Sequence, residues 1–293
     1  MGTHGERGSR TTVAGVLLLL AALALTACGG SSSAAAPSSA SAASSPAAAS
    51  PSASPLTTPA APKSGVMLRW EGTAQVELTA NGSPRVLIDV QGPSSLSAPP
   101  TADDILLTTH DHPDHVSYDF IDSFPGTQLF VQEGEIEKSG VRIRSIAAAH
   151  TQGDPLVPKS ATDYIFIIDM GGLRIVHFGD IGQPALTPEQ AKAVGRVDVA
   201  ITQFDNAQFS DIDVENKKGF KLMEQLEPRL IVQTHSSLAA VNYAATLWPV
   251  LYSKRPGVTL SAAGLPKKTS LLLLGEEGAY YVESGVHARK VDW

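Results

Sequence analysis

The chain has 293 residues, with 22 Lys and Arg against 29 Asp and Glu, for a formal net charge of −7. That balance argues against a surface built to hold a phosphate backbone, so no nucleic-acid partner is expected. The single cysteine, Cys28, excludes an internal disulfide framework and any zinc site built mainly from thiolates.

Residues 1–28 read as an export signal. Arg7 and Arg10 supply a positive start, and Val13 to Leu25 is an apolar run too short for a comfortable membrane span. No arginine pair is present, which favours the general secretory route. Leu25-Thr26-Ala27-Cys28 resembles a bacterial lipobox. That resemblance implies a diacylglyceryl group on Cys28 and an exported protein, lipid-anchored on the outer face of the bacterial cytoplasmic membrane. Two acyl chains anchor stably where one binds only marginally. Residues 29–64 are almost wholly Ser, Ala and Pro. Such a composition cannot bury a core, so a disordered tether is expected.

From Gly65 the composition changes, and residues 65–293 are long enough for one domain with a full core. Period-two patterning predicts strands at Val66–Trp70, Gln75–Thr79 and Arg85–Val90, the last two joined by the turn Asn81-Gly82-Ser83-Pro84. A buried strand at Ile105–Thr109 follows, then a short helix at Tyr118–Ser123 and strands at Thr127–Val131 and Val141–Ala148. Tyr164–Ile168 and Leu173–Phe178 read as a hairpin around Gly171-Gly172. The pattern then alternates: helix Pro188–Val194, strand Val197–Thr202, helix Lys217–Leu226, strand Leu230–Thr234. A longer helix is expected over Leu238–Tyr252, kinked at Pro249. Short strands near Val258, at Leu271–Leu274 and at Tyr280–Val282 close the chain. Strands with interleaved helices fit two sheets packed together with helices outside.

Chemistry concentrates directly after the strand Ile105–Thr109. Three of the eight histidines fall within Thr109-His110-Asp111-His112-Pro113-Asp114-His115. Residues two apart in extended chain point the same way, so His110 and His112 can reach one metal ion together. Pro113 ends the strand, and after the turn Asp114 and His115 can face a second ion. Asp111 points opposite to its neighbours, toward solvent. Imidazole with carboxylate suits zinc, manganese or iron better than calcium or magnesium. His150, Asp180 and His235 each sit where an apolar strand meets a loop. Alone, such residues are commonly surface or turn groups.

The pattern His-x-His-x-Asp-His at 110–115, directly after an apolar strand, resembles the signature of the metallo-β-lactamase superfamily. The resemblance implies an α/β fold of the αβ/βα sandwich type, two mixed sheets with helices outside and the site at the edge of the sheets. It implies two divalent metal ions, zinc first with manganese or iron as alternatives. His110, His112 and His150 would hold one ion, Asp114, His115 and His235 the other, and Asp180 would bridge. The pair would lower the pKa of a shared water, giving a hydroxide that attacks a carbonyl carbon or a phosphorus. Asp114 would also act in catalysis, orienting the nucleophile or shuttling a proton. Oxygen-reducing relatives carry glutamate where this chain keeps His112, which favours hydrolysis. His177, inside a strand, is read as a supporting group.

Leu68-Arg69-Trp70-Glu71-Gly72-Thr73-Ala74 and Val86-Leu87-Ile88-Asp89 are similar to the opening of the L-ascorbate-6-phosphate lactonase-like branch, which includes N-acylphosphatidylethanolamine phospholipase D. The branch usually has histidine where Thr73 stands and proline where Val90 stands. The implied activity is hydrolysis of an ester, lactone or phosphodiester in a small-molecule or lipid-like substrate. A β-lactamase-type amide hydrolase and a non-catalytic metal- or ligand-binding lipoprotein are the alternatives. Asp205, Asn206 and Gln208, in a polar loop after the strand Val197–Thr202, are candidate substrate contacts.

Overall fold

The computed structural model describes residues 65–293. The expected export signal, Cys28 and the Ser/Ala/Pro-rich segment 29–64 lie outside the described residues. In chain order the strands and helices begin with Val66–Trp70 (β1), Val76–Ala80 (β2), Val86–Ile88 (β3), Ile105–Thr108 (β4), Tyr118–Ser123 (α1) and Thr127–Phe130 (β5). Gly134–Lys138 (β6), Val141–Ala148 (β7), Asp163–Met170 (β8) and Leu173–His177 (β9) follow. The second half runs Pro188–Val194 (α2), Val199–Thr202 (β10), Lys218–Leu226 (α3), Leu230–Gln233 (β11), Leu238–Leu247 (α4), Val250–Ser253 (β12), Gly257–Leu260 (β13), Ser270–Leu274 (β14), Gly275–Glu283 (α5) and Arg289–Lys290 (β15).

Two mixed sheets form. One has six strands in the order β13-β1-β2-β3-β4-β5, the other nine in the order β15-β12-β14-β11-β10-β9-β8-β7-β6. Their facing sides make the main core. Leu68, Val76, Ile88 and Leu107 from the first sheet meet Phe166, Ile175, Ile201 and Val232 from the second. The central strands of the nine-stranded sheet are buried on both faces, which explains their unbroken apolar runs. Their outer side packs under the helices, where Ile167, Val176 and Ile231 share a cluster with Val194, Phe220, Val241 and Tyr281. Helix α1 covers Leu87 and Leu106 on the outside of the smaller sheet through Phe120 and Phe124. No helix among the described residues is long and apolar enough to cross a membrane.

The register decides where chemistry can sit. Val66 pairs with Ala80 and Leu260 at one end of the smaller sheet, while Ile88 pairs with Leu107 at the other. In the larger sheet Leu230 pairs with Val199 and Ser270 at the first end, and β9 and β11 run toward the second. Strands β4, β9 and β11 therefore deliver the loops after them, carrying His110–His115, Asp180 and His235, to one common edge.

Three elements differ from the sequence expectation. Pro249 ends α4 rather than kinking it. Trp248 takes an extended conformation (φ −135°, ψ 150°), and Val250–Ser253 becomes β12, which pairs in parallel with β14. Tyr280–Val282 belongs to α5, not to a strand. Gly134–Lys138, with no strand expected, is an edge strand whose Glu135 and Glu137 lie opposite Arg144 and Arg142.

Candidate metal centre

Seven donors meet at the common edge. His110, His112 and His150 form one group, and Asp114, His115, Asp180 and His235 form another, the ligand atoms of each group lying within 4.8 Å of one another. Asp180 stands between the groups. Its Oδ2 is 3.4 Å from His115 Nε2, 3.9 Å from His110 Nε2 and 4.0 Å from His150 Nε2, and its Oδ1 is 3.4 Å from His235 Nε2.

The arrangement fits a pair of metal ions on two independent grounds. His110 Nε2, His112 Nδ1, His150 Nε2 and Asp180 Oδ1 are buried with no hydrogen-bond partner among the described residues. Unpaired buried polar atoms are costly, and three imidazole nitrogens in one donor group with an unpartnered carboxylate oxygen in the other ask for cations. The second ground is spacing. Ligands held 2.0–2.1 Å from a tetrahedral ion are about 3.3–3.4 Å apart. His115 Nε2 and His235 Nε2 are 3.3 Å apart, and His235 Nε2 is 3.6 Å from Asp114 Oδ2.

The backbone that positions these groups is legible residue by residue. His115 N–H donates to His112 O (2.9 Å), closing the turn at Pro113. Asp111 is exposed, as expected, and accepts a hydrogen bond from the Tyr118 hydroxyl. Gly182 N–H donates to Ala149 O (2.8 Å), drawing the loop after Asp180 onto the one before His150. His235 O accepts from the N–H groups of Phe204 and Asp205 (2.8 and 3.2 Å). The loop between them rests on Phe204, which stacks on Phe220 with ring centroids 4.5 Å apart.

Behind the donors stands Asp89, which the sequence placed at the end of a strand and in the branch-like segment Val86-Leu87-Ile88-Asp89 but gave no role at the centre. Asp89 takes φ 50° and is fully buried. Its Oδ1 accepts from Thr109 N–H and its Oδ2 from Thr109 Oγ1–H, both at 2.8 Å. His115 Nδ1 is 2.9 Å from the same Oδ2, and His110 Nδ1 is 3.0 Å from Thr109 Oγ1. The network assigns the proton of both imidazoles to Nδ1 and leaves each Nε2 lone pair aimed at the site. Replacing Asp89 by asparagine is expected to weaken metal affinity about 10–100-fold without unfolding the protein. Competition with a chromogenic chelator reads this, and unchanged affinity would remove Asp89 from the account.

A second unanticipated group is Asp163, at the start of β8. Its Oδ1 is 3.4 Å from His110 Nδ1, and neither oxygen has a hydrogen-bond partner among the described residues. Burial, then the carboxylates of Asp180 and Asp89, raise its pKa well above the usual value. Asn206, listed by sequence as a candidate substrate contact, is buried and donates to Asp180 Oδ2 (2.6 Å). Asp205 accepts from Ser237 Oγ, at the first turn of α4. Gln208 is exposed. His177 is buried, and its Nδ1 accepts from Gly179 N–H (3.1 Å), in keeping with a supporting role.

Electrostatics follow from burial and charge. Burial, then neighbouring histidines, lowers His110 and His150 to about 4. His112, His177 and His235 are also lowered, chiefly by burial. His115 is the exception: burial opposes its charge, but Asp89 and Asp180 outweigh it and raise it well above 6.5. Binding an ion must displace that proton. The metal-free protein gains a pH dependence from this set. Between pH 6.5 and about 4, His110 and His150 bind protons only when unfolded, the other lowered histidines bind fewer when folded than when unfolded, His115 binds one in both states, and Asp163 binds one only when folded. The unfolded chain therefore takes up more protons, and stability falls as pH drops across this window. Thermal melts of chelator-treated protein at steps from pH 7 to pH 4 should show a steady fall in Tm; a flat profile would contradict the buried neutral histidines.

The sequence over residues 67–235 matches the family described as Beta-lactamase superfamily domain, a stretch that contains all seven donors. No curated protein matches the chain. Among solved structures, a presumed Zn-dependent hydrolase of the metallo-β-lactamase superfamily from Thermotoga maritima is 18% identical, covers 71% of this chain and 99% of its own, and superposes with a TM-score of 0.53. A presumed metal-dependent hydrolase from Parabacteroides distasonis is 15% identical over 72% of this chain and 93% of its own, with a TM-score of 0.47. At such identities the Thermotoga likeness shows the fold alone: two mixed sheets, helices outside, loops gathered at one edge. With the family match spanning more than half of the sequence, this chain belongs to the metallo-β-lactamase superfamily, whose members are generally metal-dependent hydrolases.

Proposed function

We propose that this protein is an exported, lipid-anchored hydrolase that uses two divalent metal ions to cleave an ester, lactone or phosphodiester. The observation that carries the reading is the convergence of seven donors, four of them presenting buried, unpartnered atoms to the same space. His110, His112 and His150 would hold one ion, and Asp114, His115 and His235 the other, with Asp180 between them. Imidazole and carboxylate donors without sulfur support zinc, with manganese or iron as alternatives. Two such ions supply Lewis acidity, lowering the pKa of water and withdrawing charge from the bond under attack.

The chain's own groups divide the remaining work. Asp89 holds His110 and His115 as Nδ1–H tautomers. Asn206 holds Asp180 through its side-chain amide. Asp114 is the outermost member of its group, its side chain 27% exposed against 12% for His235 and none for His115 and Asp180. That exposure supports a role for Asp114 in passing a proton between the site and bulk water. No Gly-x-Ser-x-Gly motif is present, so a serine nucleophile on that pattern is not involved. The lipobox-like Leu25-Thr26-Ala27-Cys28 supports the anchor.

Elemental analysis of the purified protein, paired with chromogenic esters, lactones and bis-phosphodiesters, tests the reading. The expected result is bound transition metal, turnover within the panel, loss on chelation and recovery on metal return. Turnover of nitrocefin without esterase or phosphodiesterase activity would make it an amide hydrolase. A metal-loaded protein inactive across the panel would leave a binding lipoprotein.

A further inference from the structure

The end of the sandwich opposite the metal centre carries a feature that hydrolysis does not use. An open cavity of about 730 Å³ is lined by apolar groups that include Trp248 and Pro266, and by Lys267, Lys268, His287 and Arg289. No carboxylate lines it, although the chain as a whole carries a formal charge of −7. Lys267, Lys268 and Arg289 are exposed, and none forms a salt bridge among the described residues. The nearest pairing belongs to Lys290, 4.0 Å from Asp292. Arg229 donates to the carbonyls of Ala262, Leu265 and Pro266 (2.7, 2.6 and 2.9 Å) and so fixes the turn that presents the two lysines.

Strand register gives the position. Ser270 pairs with Leu230 at the end of the sheet away from Asp180 and His235, so Lys267 and Lys268, just before it, lie at that end; Arg289 pairs with Leu251 on the outermost strand. The chain comes into the domain at the same end. Val66 pairs with Leu260, and a Cβ on Gly65 would lie 2.0 Å from Leu260 O. From Leu260 the backbone turns once and reaches Pro266 and Lys267. The described part of the chain therefore begins, at Gly65, at this same end of the smaller sheet.

We propose that this end docks on the anionic face of a membrane, with Lys267, Lys268 and Arg289 on lipid phosphates and Pro266 beside them at the headgroup level. Each basic side chain near an anionic leaflet favours binding about fivefold, so three contribute about a hundredfold, screened beyond about 8 Å at physiological salt. The choice of a membrane as partner rests on the lipid-anchored reading above. Docked this way, the metal centre faces the medium, and its substrate arrives from outside rather than from the bilayer beneath.

The test uses the full chain carrying Ala245→Cys, an exposed position lining the cavity that leaves every charge in place. Modification by a membrane-impermeant maleimide is followed by mass spectrometry of that peptide, so that Cys28 does not interfere. On vesicles of phosphatidylcholine with phosphatidylglycerol, labelling should slow at least tenfold relative to phosphatidylcholine alone. High salt, or Lys267→Glu with Lys268→Glu and Arg289→Glu, should restore it. Equal rates on both compositions overturn the proposal. So does protection without vesicles that grows with protein concentration, which would put a second copy in the cavity. Flotation with phosphatidylcholine vesicles alone tests the anchor separately. Protection on anionic vesicles without such flotation leaves docking standing and rejects the anchor.

Discussion

Asp180→Asn is expected to cost on the order of a thousandfold in kcat/KM and to drop bound metal well below two ions per chain. The change keeps the volume of the side chain and removes its charge. Among the described residues, Asp180 is the one carboxylate within 4.0 Å of histidine Nε2 atoms in both donor groups, and it is held ionised, against burial, by His115 first and then His235 and His110. An amide there offers one neutral oxygen where two charged ones stood. Its NH₂ would also face either an imidazole Nε2 or the Asn206 amide, which now donates to Asp180 Oδ2. Elemental analysis and kcat/KM on the same sample read both effects. Full metal content with unaltered kcat/KM would mean that Asp180 is not the shared ligand.

Gly179→Ala should be strongly destabilising, because it combines backbone strain with a clash. Gly179 takes φ 54°, which alanine resists, and a Cβ there would lie 2.2 Å from Asp163 Oδ1 and 2.9 Å from its Cγ. Asp163 is fully buried in β8 and has nowhere to swing. Backbone strain and overpacking together cost about 3–4 kcal/mol, and at about 2–4 °C per kcal/mol for a domain of this size Tm falls by about 10 °C. Asp163→Ala in the same chain should recover the part due to the clash and leave the part due to φ. A Tm within a degree or two of the parent would show that the turn at Gly179 adapts freely.

Local pattern was informative wherever local physics decides the outcome. Expected and observed bounds coincide for Val66–Trp70, Tyr118–Ser123, Val141–Ala148 and Pro188–Val194. The last of these starts with a Thr187/Gln190 capping box and Pro188 in its first turn. Where tertiary pairing decides, the pattern misled. Ala- and Leu-rich periodicity continues past Pro249, but a free edge of β14 captures Val250–Ser253. Tyr280, Tyr281 and Val282 have strand propensity, yet Glu276 and Glu277 suit a helix start and Tyr281 packs into the cluster under the helices. Strand β6 shows one apolar residue among charges because it pairs at the sheet edge. At the centre itself, His110, His112, Asp114 and His115 were readable from one histidine-dense loop, whereas His150, Asp180 and His235, each at the end of an apolar strand, were marked as donors only by the family resemblance. Asp89 and Asp163 were not, because a carboxylate beside a strand looks the same whether it meets water or a histidine dozens of residues away.

The seven donors span His110 to His235 and hang from loops of both sheets, with no fragment of the chain holding a complete set. Contacts of such long sequence separation form slowly and late. Full ion capture is therefore expected as a final step of maturation, and the rate at which refolding protein depletes a free divalent metal will time the closing of one sheet upon the other.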